Sequence, residues 1–117
     1  MFVWSAATRI YLALGATDLR QGFDGLYALV EQRLESDPLS GHVFVFANRR
    51  RSRIKLLFWD SSGLWLCSKR LERGRFRWPV SAEGESKLRL SAEELTALLG
   101  GLDLAATRRH AWFRRAV

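Results

Sequence analysis

Residues 42–71, HVFVFANRRRSRIKLLFWDSSGLWLCSKRL, decide the fold of this chain. Three runs rich in apolar and aromatic residues are separated by two short polar segments of the kind that form turns. The first run is apolar on both faces, which is typical of a central strand covered on both sides. The pattern therefore predicts an antiparallel meander of three strands. The strands are expected over 43–47, 53–59 and 64–71, with a hairpin loop over 48–52 and a turn over 60–63.

The segment before the meander predicts one strand and the longer of two helices. TRIYLAL, residues 8–14, has the composition of a strand and is followed by a turn. Apolar residues then recur at steps of three and four from Leu19 to Leu34, which predicts an amphipathic helix. Thr17 or Asp18 is the expected N-cap, since either side chain can accept a hydrogen bond from a free backbone N–H. Two glycines in the first turns indicate close packing there or a later start of the helix.

The segment after the meander predicts two short strands and a short helix. RFRW, residues 75–78, is expected to form a strand that ends at the following proline, and 87–90 is expected to form another. Ser91 and Glu94 have the spacing of a capping box, in which each side chain bonds the backbone of the other residue. This box opens a short helix with leucines on one face, which ends at the glycine pair 100–101.

Together these elements predict an α+β fold. We expect a small antiparallel sheet of four to five strands with one long and one short helix packed on it. Residues 1–103 should form this single domain, and residues 104–117 a basic C-terminal arm. The expected core consists of Phe44, Phe46, Trp59 and Trp65, with Phe23, Leu26 and Val30 packed against them.

Composition restricts the class of protein. With 117 residues, 48% of them hydrophobic, the chain is long enough for one domain with a real core. The single cysteine, Cys67, excludes an internal disulfide and a zinc site built from several cysteines. No apolar run approaches the roughly 18 residues that span a bilayer, and the first residues lack the basic region of a secretory signal. We therefore expect a reduced, cytoplasmic protein with no membrane partner.

Positive charge is concentrated in two places. The net charge is +7, and residues 49–77 hold ten Lys or Arg against two acids. The tail 104–117 adds four Arg and no acid. This distribution favours a polyanionic partner, with nucleic acid as the first choice. A membrane surface is less favoured because the central basic block is not an amphipathic helix.

The hairpin loop and the strands beside it supply the candidate nucleic-acid-binding residues. A loop on a rigid sheet can present arginines to phosphates, and Arg53 and Lys55 share a face because side chains alternate along a strand. Arginines after the third strand follow the same spacing and would join them in one stripe if the strands are neighbours. Phe76 and Trp78 would then point into the core, with base stacking as the less favoured alternative. A merely solubilising loop is the competing interpretation. The candidates are Arg49, Arg50, Arg51, Arg53, Lys55, Lys69, Arg70, Arg73 and Arg75.

Little in the sequence supports catalysis. The two histidines are far apart, Cys67 lies in mid-strand, and there is no glycine-rich phosphate loop. Asp18, Asp24 and Asp60 are candidates for a two-metal phosphoryl-transfer site, but Asp18 is better explained as a helix cap. We therefore predict no enzyme activity, no catalytic residue, no metal site and no cofactor.

Three stretches carry a family resemblance. TDLRQGFDGLYALV (17–30), the long run SGHVFVFANRRRSRIKLLFWDSSGLWLCSKRLERGRFRWP (40–79) and LSAEELTALLGGLD (90–103) resemble the TnpB-like (Orf2) proteins of the IS66 bacterial insertion sequences. The resemblance implies an accessory role in DNA transposition, beside a separate, larger transposase that carries the acidic catalytic residues. It does not imply the RNA-guided nuclease that shares the TnpB name, because that enzyme has a cysteine zinc site.

Three functions remain open at this point, of which a metal-dependent nuclease that uses Asp18, Asp24 and Asp60 is the least favoured. The first is an accessory protein that binds DNA through the basic hairpin and strand surface. The alternative is a protein-interaction module that docks its basic face on the transposase and has no direct DNA role. The sequence leaves the oligomeric state and the DNA site undetermined.

Overall fold

The computed structural model describes residues 7–80 and 84–101. Within these ranges the chain forms five strands and two helices, which confirms the α+β class. The C-terminal arm predicted over 104–117 lies outside the described residues. No helix of the described residues is long and apolar enough to cross a membrane. In chain order the elements are β1 (Ile10–Ala13), α1 (Phe23–Gln32), β2 (Val43–Ala47), β3 (Arg53–Trp59), β4 (Leu64–Arg70), β5 (Lys87–Leu90) and α2 (Ala92–Leu99).

The sheet has the strand order β4-β3-β2-β1-β5 and is mixed. The meander of β2, β3 and β4 is confirmed, since both of its pairs are antiparallel. The sheet departs from the antiparallel expectation at one pair, because β1 and β2 are parallel. This follows from the connection between them: α1 carries the chain back to the starting edge, so β2 runs in the same direction as β1.

Both faces of the sheet are covered, which explains why β2 is apolar on both sides. Phe44 and Phe46 point to the face that α1 covers, where they are fully buried with Leu26 and Val30, as predicted. The opposite face packs against α2. Within β2, Val43, Val45 and Ala47 face that second layer.

The aromatic core was only partly predicted. Phe23 and Trp65 are 46% and 45% exposed, and Trp59 is half-buried. Phe23 is the first residue of α1. Trp65 lies in β4, which among the described strands is at the edge of the sheet, with a neighbour on one side. The end of α2 reaches β4 near Lys69, and Trp65 lies four residues earlier in that strand.

Two further local predictions were wrong. The helix α1 begins after Gly22, which makes no side-chain cap, so neither Thr17 nor Asp18 caps it, and the later start is confirmed. Residues 75–78 form no strand. Exposed and buried side chains still alternate from Arg75 to Arg77, because the Phe76 N–H donates to the Arg51 carbonyl at 2.7 Å and holds the segment in place. Phe76 is thereby buried in the α2 layer, as predicted.

The helix α2 begins as the sequence predicts. The Ser91 hydroxyl accepts a hydrogen bond from the Glu94 N–H at 3.1 Å, and the Glu94 carboxylate accepts one from the Ser91 N–H at 2.9 Å. This capping box satisfies two backbone donors that the first turn leaves free. The helix therefore has a fixed start next to β5.

Candidate nucleic-acid interface

The loop between β2 and β3 is a tight turn built around the Asn48 side chain. Its Oδ1 accepts hydrogen bonds from the backbone N–H groups of Ser52 and Arg53, at 3.0 and 3.1 Å. Its Nδ2 donates to the Ser52 hydroxyl at 3.2 Å. Three contacts from one amide fix the turn, so Arg49 and Arg50 project from a rigid support and are exposed.

A cleft of about 420 Å³ separates this turn from residues 16–20, the segment that precedes α1. Four arginines of the described residues line it: Arg49, Arg50 and Arg53 from the hairpin, and Arg20 from the opposite wall. Asp18 also lines the cleft and is paired with Arg20. Among the described residues, the three hairpin arginines have no carboxylate partner. The cleft therefore combines a concave shape with a surplus of positive charge.

Two more arginines lie beneath the wall formed by residues 14–17 and hold it in place. The Arg33 guanidinium donates to the Leu14 and Ala16 carbonyls and to the Thr17 hydroxyl. The Arg51 guanidinium donates to the Gly15 carbonyl at 3.2 Å. These are neutral acceptors, so both positive charges add to the field around the cleft.

The accumulated positive charge affects the pKa of Arg51. Burial lowers the pKa of its guanidinium, and the neighbouring charges of Arg33 and Arg49 lower it further. The backbone of Arg51 has a φ of 58°, the left-handed region that few residues with side chains adopt. Its guanidinium lies over the Trp78 ring, 5.4 Å from the centroid. Arg51 is thus held inward, unlike the two arginines that precede it.

Two of the remaining candidates on the strands are engaged with the protein itself. The Lys55 ammonium donates to the Gln21 carbonyl at 3.1 Å, just before α1 begins. The Lys69 ammonium donates to the Leu99 carbonyl at 2.8 Å, at the C-terminal end of α2. A cation is favoured at that position because the last carbonyls of a helix carry partial negative charge. Lys69 therefore faces the α2 side of the sheet, opposite to Lys55.

The last three candidates lie at and beyond the end of β4. Arg70 lies directly opposite Arg53 in the register of β3 and β4, and its Nε is 3.0 Å from the Glu72 carboxylate. Both partners of that ion pair are largely exposed, so it contributes little to stability. Arg73 and Arg75 are exposed. Of the nine candidates, the structure gathers Arg49, Arg50 and Arg53 in one cleft.

Sequence reasoning missed Arg20 and Arg33. The Arg20 side chain contacts the Asp18 carboxylate through Nε at 3.0 Å and through a terminal nitrogen at 2.8 Å. These hydrogen bonds lower the pKa of Asp18 to about 2. For Arg33 a signal exists, because it continues the stripe of Leu26 and Val30 at helical spacing, where a cation needs acceptors.

Asp60 and Cys67, two of the residues weighed as catalytic, have surroundings that account for them without catalysis. Within residues 7–80 and 84–101, no three His, Cys, Asp or Glu side chains come together as a metal site would require. The Asp60 carboxylate accepts from the Trp65 indole at 2.6 Å and from the Ser62 and Gly63 N–H groups. The thiol of Cys67 has its pKa raised by burial, which disfavours the reactive thiolate.

The fold and the cleft define a small basic α+β protein with a candidate site for a polyanion. A family model described as "IS66 Orf2 like protein" matches residues 8–109. The chain belongs to this family of insertion-sequence accessory proteins, as the resemblance implied.

Two relatives from Sinorhizobium fredii (strain NBRC 101917 / NGR234) are similar over most of their length. One, named uncharacterized protein y4jC, is 40% identical over 105 residues, which cover 90% of this chain and 88% of the relative. The other, named uncharacterized protein y4hO, is 44% identical over 95 residues, 81% of each chain. No solved structure matches the chain.

Proposed function

We propose that this accessory protein binds DNA during transposition, and that the hairpin arginines contact backbone phosphates. One observation carries the proposal: Arg49, Arg50 and Arg53 share a cleft and lack carboxylate partners among the described residues. Guanidinium groups match the geometry of phosphate oxygens and keep their charge at any physiological pH. Arg73 and Arg75 are exposed on the segment whose Phe76 N–H donates to the Arg51 carbonyl, and we expect them to extend this surface.

The binding mode is expected to be insensitive to sequence. Phosphate contacts fix a protein on DNA but do not distinguish bases. Both described helices pack on the faces of the sheet, so neither is presented for insertion into a major groove. If about five arginines meet phosphates, log K against log salt should have a slope of roughly −4 to −5 on duplex DNA.

The experiment is a salt titration of binding to element-end DNA and to random DNA, followed by fluorescence anisotropy. The matched variants are Arg53→Gln and Lys69→Gln. Each variant removes one positive charge, and the two residues belong to neighbouring pairs in the register of β3 and β4. Lys69, however, faces the other side of the sheet. Arg53→Gln should flatten the slope by about one on both DNAs, and Lys69→Gln should leave it unchanged. Equal effects of the two changes, or no binding by the intact protein at low salt, would refute the proposal.

A second candidate function is docking on the transposase, and the open edge of β4 favours it. The Leu71 N–H donates to the Ser52 carbonyl, directly before β3, so alternate β4 residues such as Ser68 direct their backbone groups outward. Within the described residues β4 has a strand neighbour on one side, and an exposed edge can accept an added strand. The nearby charges of Lys69 and Arg70 suit an acidic segment.

A proline at Ser68 separates the two functions. Ser68→Pro removes one outward N–H and leaves the cleft arginines in place, because proline is tolerated on the open side of an edge strand. Loss of a nuclease-resistant complex with the transposase, with DNA binding retained, would support docking through this edge. Retention of the complex would exclude the edge as the docking site.

The proposed role requires no catalysis by this chain. A cleavage assay with Mg²⁺ or Mn²⁺ on element-end DNA should give no product. Cleavage that is abolished by Asp18→Asn, Asp24→Asn or Asp60→Asn in a folded protein would overturn this part of the proposal and restore the two-metal hypothesis.

A further inference from the structure

The cleft between residues 16–20 and the hairpin tip is concave, and its size restricts what can enter. Its volume of about 420 Å³ lies in the range of small-ligand sites, roughly 300–1,000 Å³. A DNA duplex presents its phosphates on a wide convex surface, so it can meet the hairpin arginines at the rim but cannot place a nucleotide inside the cleft. A single nucleotide unit of an unpaired strand is small enough to enter it. The shape therefore favours unpaired DNA as the occupant.

The Asp18 carboxylate fixes the direction of Arg20 on one wall of the cleft. It binds Nε and one terminal nitrogen of the guanidinium, and it also accepts the Arg20 backbone N–H at 3.0 Å. A guanidinium has five N–H groups, so three remain for another acceptor. The Arg20 side chain is 91% exposed, so these groups are accessible. Asp18 is therefore in a position to orient Arg20, although its own charge opposes an anion.

The rest of the positive charge comes from the hairpin wall of the cleft and from two arginines beneath residues 14–17. Arg49, Arg50 and Arg53 face Arg20 across the cleft, while Arg33 and Arg51 lie under the loop with carbonyl and hydroxyl partners. Crowded like charges raise the free energy of the site, and a bound anion lowers it. Among the described residues that line the cleft, Asp18 is the only acid.

We propose that this cleft binds one phosphate-bearing nucleotide unit of an unpaired DNA strand, between Arg20 on one wall and Arg49, Arg50 and Arg53 on the other. Asp18 is a positioning residue that holds Arg20. The inference rests on the proposed DNA binding and adds to it a preference for unpaired strands. The shared chemistry is a phosphate next to an unpaired base, supplied either by a strand end or by an internal single-stranded segment.

The test compares binding of a short oligothymidylate, with and without a 5′ phosphate, to binding of a duplex of the same length. The wild-type protein should prefer the single strand to the duplex. A higher affinity for the phosphorylated oligonucleotide identifies a strand end as the occupant, and equal affinities identify an internal segment. Arg20→Gln should weaken single-strand binding about tenfold, the loss of roughly one charge-assisted contact, with little change for the duplex.

Asp18→Asn gives the sharpest outcome, because electrostatics and positioning predict opposite signs. Removing the carboxylate makes the protein one unit more positive, which by charge alone strengthens binding to any DNA. If Asp18 positions Arg20, single-strand binding weakens instead. Glu72→Gln is the matched control, since it frees Arg70 from its ion pair outside the cleft and adds the same charge. This control should strengthen binding slightly.

Three outcomes would overturn the inference: no preference of the wild type for the single strand, no effect of Arg20→Gln, or stronger single-strand binding by Asp18→Asn. Each leaves the general proposal of DNA binding intact as long as Arg53→Gln still flattens the salt slope. If the wild-type protein binds no DNA at low salt, the proposed function itself fails. Thermal unfolding of each variant checks that these exposed substitutions leave the fold intact.

Discussion

The two turns of the meander share one construction and differ in charge. In the β2–β3 turn, the Asn48 side chain accepts hydrogen bonds from two backbone N–H groups, those of Ser52 and Arg53. In the β3–β4 turn, the Asp60 side chain accepts hydrogen bonds from the N–H groups of Ser62 and Gly63. Each turn also contains one residue in the left-handed region, Arg51 with φ 58° and Ser61 with φ 82°. A short side-chain acceptor at the end of a strand is thus sufficient to shape both turns.

The two turns differ in the charge of the acceptor side chain, which is a neutral amide in Asn48 and a carboxylate in Asp60. The Asp60 carboxylate is ionised, and the Trp65 indole donates to its second oxygen at 2.6 Å. Asn48 has the same reach and no charge, so the arginines beside it keep their full positive field. An acid at position 48 would form the same turn and neutralise part of the cleft. In this chain the shape of a turn is therefore independent of its charge.

The largest expected effect tests the construction that the turns share. Asn48→Ala removes the acceptor of two backbone N–H groups and a hydrogen bond to Ser52. The free energy of unfolding should fall by roughly 2 kcal/mol, because a partly buried turn loses hydrogen bonds worth about 0.5–1.5 kcal/mol each. Urea unfolding followed by tryptophan fluorescence measures this. An unchanged midpoint would mean that the backbone forms the turn without Asn48.

The second prediction tests the difference between the turns. Asn48→Asp retains the acceptor oxygens and places a negative charge beside Arg49, Arg50 and Arg53. Duplex DNA affinity should fall about tenfold at low salt, since a carboxylate on the same cleft offsets part of the attraction of the arginines for phosphate, by about 1 kcal/mol for a pair of charges roughly 4 Å apart in water. Fluorescence anisotropy measures the loss.

The mirror substitution at the other turn is the control for Asn48→Asp. Asp60→Asn also keeps its turn and changes one unit of charge, but it lies at the opposite end of β3. Its effect on DNA affinity should be small. If Asn48→Asp binds DNA as tightly as the wild type, the hairpin tip does not contact phosphates.

Much of the fold could be predicted because it depends on local chemistry. Asn48 and Asp60 mark the turns, and Ser91 with Glu94 marks the start of α2. The direction of β1 could not be predicted from periodicity, because it depends on where α1 packs. The exposure of Trp65 was missed for a similar reason: hydrophobicity does not reveal that β4 is an edge strand.

Less of the site could be predicted, because tertiary contacts decide which cations remain free. Alternation correctly assigned Arg53 and Lys55 to one face, but the segment before α1 covers Lys55. Lys69 was assigned to the same surface, and its side chain instead reaches the end of α2. Arg20 lies on the second wall of the cleft, although it is about thirty residues earlier in the chain than the hairpin arginines. Sequence spacing cannot reveal that these residues line one cleft.

The third prediction concerns pH and affects only the acidic turn. Hydrogen bonds from Trp65 and the Ser62 backbone lower the pKa of Asp60 from 3.8 to about 2. A carboxylate with a lowered folded-state pKa stabilises the fold above the unfolded value, and this contribution is lost as pH falls from about 4 towards 2. Urea unfolding at several pH values should therefore show that the free energy of unfolding falls less in acid for Asp60→Asn than for the wild type. The effect should be smaller than that of Asn48→Ala, because Asp60 is exposed.

Trp65→Phe checks the cause assigned to this pKa. It removes the indole donor and leaves the backbone donors in place, so the pKa of Asp60 should rise part of the way to 3.8. Titration of the carboxyl carbon by NMR measures it directly. A pKa that stays near 2 would assign the shift to the backbone N–H groups of the turn and the Ser62 hydroxyl. The β2–β3 turn has no titrating acceptor, so its stability should not change over this pH range.

The smallest expected effect concerns the left-handed residue in each turn. Ser61 is exposed and its φ of 82° strains any residue that has a Cβ, so Ser61→Gly should raise the free energy of unfolding by about 0.5 kcal/mol. Arg51→Gly relieves the same strain but removes the hydrogen bond to Gly15 and the contact with Trp78, so stability should fall. Thermal unfolding of the two variants compares the signs. If Arg51→Gly stabilises the protein as Ser61→Gly does, the inward contacts of Arg51 contribute nothing, and its side chain is then available to DNA beside Arg49 and Arg50.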